Sequence, residues 1–156
     1  MTAPALCLTV TRRAVRDVWD DLQPMLAEHW VEIAHYDDIP LNPDRARYEA
    51  LDDAGLLRVF VADIGGDCIG YAVYVVQRNA HYADSLQAVQ DVLYLDPAFR
   101  NAGIGRALID ECDKRLRAEG VQVVYQHVKL AHDFGPLLAS LGYEAVETIH
   151  ARRLDR

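Results

Sequence analysis

A chain of 156 residues with 51% apolar and 26% charged side chains is long enough to bury a core without disulfide or metal support, and its length calls for a single domain over residues 1–156. The net charge of -8 repels polyanions and disfavours a broad electrostatic grip on DNA or RNA, whereas a cationic partner is attracted. No apolar run approaches the roughly 20 residues that span a bilayer, and MTAPALCLTVTRRAV has no basic segment ahead of a long apolar one, so the expectation is no membrane, no secretion and a cytoplasmic location.

The first element is a short alternating strand, Leu6 to Arg12. A helix follows from Val15 to about Ile33, where Val18, Trp19, Leu22, Leu26, Trp30 and Ile33 recur at three- and four-residue spacing and Pro24 kinks or divides the segment. After the loop YDDIPLNPD, the stretch NPDRARYEALDDAG predicts a second helix capped by Asn42, with Pro43 in its first turn and Gly55 past its end. A hairpin comes next: strand Leu57 to Asp63, a turn at Gly65 and Gly66, and strand Cys68 to Gln77. Beyond a polar loop RNAHYADS, a fourth strand of about ten residues in LQAVQDVLYLDP stops at Asp96 and Pro97.

The following helix carries Ile104, Leu108, Cys112 and Leu116 as one apolar stripe and stops at Gly120. A fifth strand is expected in VQVVYQHV, a short helix in DFGPLLASLG between Asp133 and Gly142, and a closing strand in YEAVETIHARRL. This order mixes hairpin pairing with crossover connections, so the fold class is α/β with a mixed (α+β) sheet and helices on its faces. Cys7, Cys68 and Cys112 are widely spaced with no C-x-x-C pair, a pattern of reduced thiols rather than a disulfide framework.

The segment FRNAGIGRALID poses the functional question. Two glycines one residue apart at the start of a helix either relax the backbone there or clear side chains so that N–H groups converge on an anion. Phosphate suits the second use, with Arg100 and Arg106 as flanking cations. A dinucleotide-binding loop needs a third glycine where Leu108 stands, and a P-loop needs a Gly-Lys-Ser/Thr that is absent.

With strand, Asp-Pro stop, glycine loop and amphipathic helix in this order, DVLYLDPAFRNAGIGRALI resembles motif A of the GNAT superfamily of N-acetyltransferases, an Arg or Gln, two residues, Gly, one residue, then Gly or Ala. Arg100, Gly103 and Gly105 match that pattern, and the later Leu141-Gly142-Tyr143 is similar to the family's Leu-Gly-Phe/Tyr. The segments HWVEIAHYDDIP and HVKLAHDFGPLLASLGYE are similar to small members from phage and prophage genomes. The resemblance implies a GNAT-like fold, a central, mostly antiparallel sheet splayed between its fourth and fifth strands. It implies acetyl-CoA as cosubstrate, the pantetheine arm running along Leu93, Tyr94 and Leu95, and the pyrophosphate held by the amides of Asn101, Ala102, Gly103, Ile104, Gly105 and Arg106. The acceptor is an amine of a small molecule or protein, and a homodimer would be unsurprising.

Acetyl transfer to an amine needs a base, donors for the carbonyl oxygen and a proton for the departing thiolate. Asp91 shares a strand face with Leu93 and Leu95 by two-residue alternation and is the candidate base, unless it is a plain solvated strand carboxylate. The family's usual general-acid tyrosine falls at Leu138, so another donor is required. His127, His132 and Tyr125 are candidates, His127 first, because an imidazole can give or take a proton near neutral pH; the alternative is a hydrogen-bonded strand histidine. His29, Glu32, Tyr36 and His81 fall in polar segments where an acceptor would bind, or are merely polar surface. Their spacing fits no H-E-x-x-H or other ligand motif, so no metal is expected. The missing tyrosine leaves a second function open, an acyl-CoA-binding regulatory module without catalysis, and a third is an enzyme modifying an amino-bearing base.

Overall fold

The computed structural model describes residues 7–156; Leu6, where the first strand is expected to begin, lies outside the described residues. The elements are β1 (Leu8–Arg13), α1 (Val15–Ile33), α2 (Arg45–Asp53), β2 (Leu57–Ile64), β3 (Asp67–Asn79), β4 (Tyr82–Leu95), a 3-10 turn (Pro97–Phe99), α3 (Ile104–Ala118), β5 (Val123–Tyr125) and α4 (Gly135–Ser140). The sheet runs in the order β1-β2-β3-β4-β5. Its first four strands are antiparallel, and β5 joins β4 in parallel through the α3 crossover.

Each helix covers the sheet with the stripe its sequence spacing provides. On one side α1 contributes Val15, Val18 and Leu22, packed with Val59, Val61, Tyr71, Val73, Val92 and Tyr94. On the other, α3 contributes Ile104, Leu108, Cys112 and Leu116, packed with Phe60, Ala62, Tyr74, Val76 and Ala88. Pro24 sits inside α1 without dividing it. The first amide of α1 has no local cap and donates instead to Asp52 of α2 at 2.7 Å. Asp44, not Asn42, caps α2 by accepting from the amide of Arg47 at 3.0 Å, so the helix starts beyond the prolines.

Two departures from strict pairing shape the functional end of the sheet. Tyr74 pairs with Gln90 while Val73 pairs with Val92, leaving Asp91 as the extra residue of a bulge. The bulge turns β4 over: Ala88 packs on the α3 side, Val92 on the α1 side, and Leu93 and Leu95 on the α3 side again. The second departure is the shortness of β5, which pairs only with Gln87, Ala88 and Val89. Beyond Val89 the β5-facing edge of β4 has no strand beside it among the described residues, which leaves a wedge between the two strands. The fifth strand is therefore shorter than VQVVYQHV predicts.

The strands β3 and β4 extend further outward than expected, so that most of RNAHYADS belongs to their hairpin and only Ala80 and His81 turn. Gly70 lets the other end close. A Cβ there would lie 2.4 Å from the backbone oxygen of Tyr94, nearer than any real contact, and backbone cannot step aside. Gly70→Ala is expected to cost about 1–3 kcal/mol of stability in urea titration, as overpacking against fixed atoms does.

The predicted closing strand does not form. Residues 143–156 have no regular structure and pair with no strand among the described residues. Val146, Ile149 and Leu154 stand exposed there, because periodicity marks a segment able to be a strand and cannot supply its neighbour.

Candidate active site

The wedge opens into a cleft of about 1140 Å³ between α1, the loop before α2, the end of β4, the start of α3 and the segment after β5. Its phosphate-like end is the loop ahead of α3. Gly103 has φ of 76° and sits at the N-cap, where no side chain supplies a cap. Among the described residues the amides of Asn101, Gly103, Ile104, Gly105 and Arg106 have no acceptor, while Ala102 N–H is spent on the carbonyl of Arg100 at 2.8 Å. The expected six-amide cradle thus has five free members, three of them the first-turn donors that a helix leaves unpaired, and such a set suits an anion. Asn101, Gly103, Gly105 and Arg106 line the cleft; Ala102 does not, and the Ile104 side chain is buried in the core. The Arg106 guanidinium hydrogen-bonds Ser140 Oγ of α4.

Arg100 is oriented differently from its expected place on a diphosphate. Its Nε donates to the carbonyl of Leu95 at 2.8 Å, and Nη1 and Nη2 form a bidentate pair with Glu32 at 2.9 and 2.8 Å, over the Tyr94 ring. The guanidinium therefore ties the end of β4 to α1. Glu32 lines the cleft with its carboxylate held in this pair. Arg100 donating to it holds the Glu32 carboxyl below its ordinary value. A depressed carboxylate adds stability that is present above its unfolded value and is lost as pH falls through its folded one. Glu32→Gln should cost about 1 kcal/mol near neutral pH and flatten the acid side of the stability profile, read by chemical denaturation at several pH values.

Asp91 also departs from expectation. The bulge removes it from the Leu93 and Leu95 face, and its carboxylate accepts from the Tyr48 hydroxyl of α2 on the opposite side of the sheet. Burial, then this contact, raises the Tyr48 phenol well above its ordinary value, keeping it a neutral donor. Asp91 and Tyr48 both line the cleft. So does His127, whose amide donates to Gln90 Oε1 at 2.7 Å just where β5 ends. The buried Gln90 side chain thus takes up a backbone amide just past the last β4–β5 pair. Leu138 is buried in α4, and Tyr143 donates to the Asp113 carboxylate at 2.7 Å, away from the cleft lining. His132 lies 3.9 Å from Glu32, and Tyr125 is half-buried on β5 outside the lining.

Among the expected acceptor residues, His29 lines the cleft, its ring tilted against that of Tyr94 at 5.3 Å between centroids, with Nδ1 buried and without a partner among the described residues. Burial lowers its basicity, which favours the neutral imidazole. Tyr36 lies under Arg153, and His81 is exposed at the hairpin tip; neither reaches the cleft, His81 because the hairpin carries it outward. The remaining acceptor wall is formed by Ile39 to Asp44, Tyr48, Gln77 and Val89. No group of three or more metal-ligating side chains is present among the described residues.

A strand edge left free beside a cradle of five unpaired amides is what the sequence matches as well: residues 15–135 match the Acetyltransferase (GNAT) family. The chain belongs to that family. The GNAT fold is shared with the ribosomal-protein-alanine N-acetyltransferase of Brucella melitensis biovar Abortus 2308, at TM-score 0.71 and 17% identity over 95% of this chain and 99% of that one. A Trypanosoma brucei acetyltransferase aligns at TM-score 0.69 and 20% identity over 95% and 100%. The aminoglycoside N-acetyltransferase AAC(6')-Iy in complex with CoA aligns at 0.71 and 18% over the full length of both. No curated protein matches the sequence. Within the GNAT frame, Tyr48, Gln90 and Gly70 are the site-building residues the sequence did not announce, since each acts through a partner distant in the chain.

Proposed function

We propose that this GNAT protein transfers the acetyl group of acetyl-CoA to an amine of a small-molecule or protein acceptor. The observation that carries the reading is the set of unpaired amides at Asn101, Gly103, Ile104, Gly105 and Arg106 beside the free edge of β4. A diphosphate satisfies the amides and the α3 dipole together. The amide groups of a pantetheine arm can extend the sheet along Leu93 to Leu95 as an added strand would. Acetyl-CoA supplies a thioester carbonyl, and the rest of the chemistry belongs to the chain.

In this reading the acceptor amine enters past Asp44 and Asp91, whose carboxylates favour a cation on approach. Asp91 takes the proton the amine must lose, directly or through one water, as the C–N bond forms. Tyr48 keeps the carboxylate aimed. The C–S bond breaks, and His127 gives the thiolate its proton, the role Leu138 cannot fill. His29 lines the acceptor side of the cleft with its imidazole kept toward the neutral form by burial. The acetyl-group donor of the solved relatives is suggested by their names, AAC(6')-Iy having been captured with CoA and with a CoA-linked neamine analogue. A single domain over residues 1–156 and a cytoplasmic location belong to the same proposal, the latter supported by three free cysteines.

Thiol release from acetyl-CoA is the direct test, measured across a panel of amines including aminoglycosides and peptides with free N-termini, with mass spectrometry of the products. A gain of one acetyl unit on an acceptor supports the transferase. Tight CoA binding without turnover on any acceptor favours the binding module instead.

A further inference from the structure

Away from the β4 edge and the glycine loop, the cleft is walled largely by apolar side chains. Leu26 and Trp30 continue the α1 stripe of Val18 and Leu22 at four-residue spacing, but they are only half-buried and line the cleft. The loop before α2 adds Ile39 and Leu41, α2 adds Leu51 and β3 adds Val75. Ile39 is 50% exposed although it belongs to the wall of a concavity. Apolar side chains left bare in a cleft, with a few polar groups among them, are the lining of a small-molecule site.

The charges on that wall say what kind of molecule. Glu32, Asp44 and Asp91 are the carboxylates of the lining among the described residues. Glu32 is neutralised by Arg100, with His132 at 3.9 Å from it. Asp44 accepts from the Arg47 amide and Asp91 from the Tyr48 hydroxyl, and neither is in an ion pair among the described residues. Arg47 itself lines the cleft, and burial keeps His29 toward the neutral form. Two carboxylates against one guanidinium leave a single negative charge for an acceptor to meet. One ammonium group matches it. A polyamine would set its further ammonium groups against Arg47 and the apolar wall, where they lose water without gaining a partner. The cleft of about 1140 Å³ must also take the pantetheine arm, so the body that carries the ammonium is small.

We infer that the cleft is built for a small primary amine with one ammonium group on an apolar body, the ammonium at Asp91 and the body against Leu26, Trp30, Ile39 and Leu41. The inference rests on the acetyl-transfer reading for the fate of the amine and on the cleft alone for its shape. Burial of the body supplies affinity in proportion to its area, and the Asp91 contact fixes which atom faces the thioester.

Titration calorimetry on the full chain, with and without saturating CoA, tests the shape. Across propylamine, pentylamine and heptylamine, affinity should rise about two- to fourfold for each methylene added. Spermine should bind about tenfold more weakly than heptylamine or worse. Ile39→Asp with Leu41→Asp should lower the heptylamine affinity by about tenfold or more, with an unaltered circular dichroism spectrum, and narrow the gap to spermine. Thiol release from acetyl-CoA on the same amines tests the transfer reading separately: heptylamine bound but not acetylated removes that reading while the amine site stands. Equal affinities along the series, or spermine or trialanine bound more tightly than heptylamine, overturn the inference even where thiol release shows transfer.

Discussion

Asp91→Asn should lower kcat for acetyl transfer by about 10²- to 10⁴-fold, the range over which a positioned general base contributes, while the KM for acetyl-CoA changes little. The amide keeps the shape and can still accept the Tyr48 hydrogen bond, so the loss isolates proton removal from geometry. Tyr48→Phe makes the complementary change. The carboxylate remains, but the donor that aims it is gone, and a drop of roughly tenfold in kcat is expected from the loss of one hydrogen bond to a charged group. Steady-state kinetics on an identified acceptor check both. An Asp91→Asn enzyme with kcat within threefold of the parent would remove Asp91 from the chemistry and leave the base to a water or to His127.

That the sequence placed Asp91 on β4 but gave it the wrong face has a physical cause. Alternation assigns faces only while the ladder keeps its register, and one extra residue reverses every assignment beyond it. Nothing in VQDVLYL distinguishes a bulge at Asp91 from a regular strand; the bulge is a relation between Val73, Tyr74 and their partners. The same reason hid Gln90, which reads as one polar residue in a strand and takes up the amide of His127 just past the last β4–β5 pair. Helices fared better. The stripe Ile104, Leu108, Cys112 and Leu116 is a property of the helix alone, and the core formed on it as the spacing predicts.

The glycine loop was legible for a different reason: conformations open to glycine are written in composition, and Gly103 at φ of 76° takes one of them. Arg100 shows the limit of that reading. Its place ahead of the glycines marked it as a cation for phosphate, yet the bidentate partner is Glu32, far away in sequence on α1. Long-range ion pairs leave no local pattern. The arm after Tyr143 marks the opposite limit, since a sequence with strand periodicity found no strand within its own described chain.

Gly103→Val follows from the same geometry and should raise the dissociation constant of acetyl-CoA by about 10²-fold or more, because several charge-assisted bonds to one diphosphate are each worth ~1.5–3 kcal/mol. Among the described residues nothing beyond its own chain neighbours lies within 4 Å of a Cβ added at Gly103, so no clash unfolds the chain. The damage lies in the backbone. A β-branched residue resists positive φ, and relieving that strain swings the amides of Gly103 and Ile104 away from their common focus, while the new side chain occupies the volume the diphosphate needs. Gly105 supplies the control. A Cβ there meets Leu137 and Leu95 side chains at 3.7 and 3.8 Å, ordinary contact distances, so Gly105→Ala should bind acetyl-CoA within a few-fold of the parent. Titration calorimetry on both variants separates the outcomes: equal affinities would mean that the free amides ahead of α3 do not hold the coenzyme.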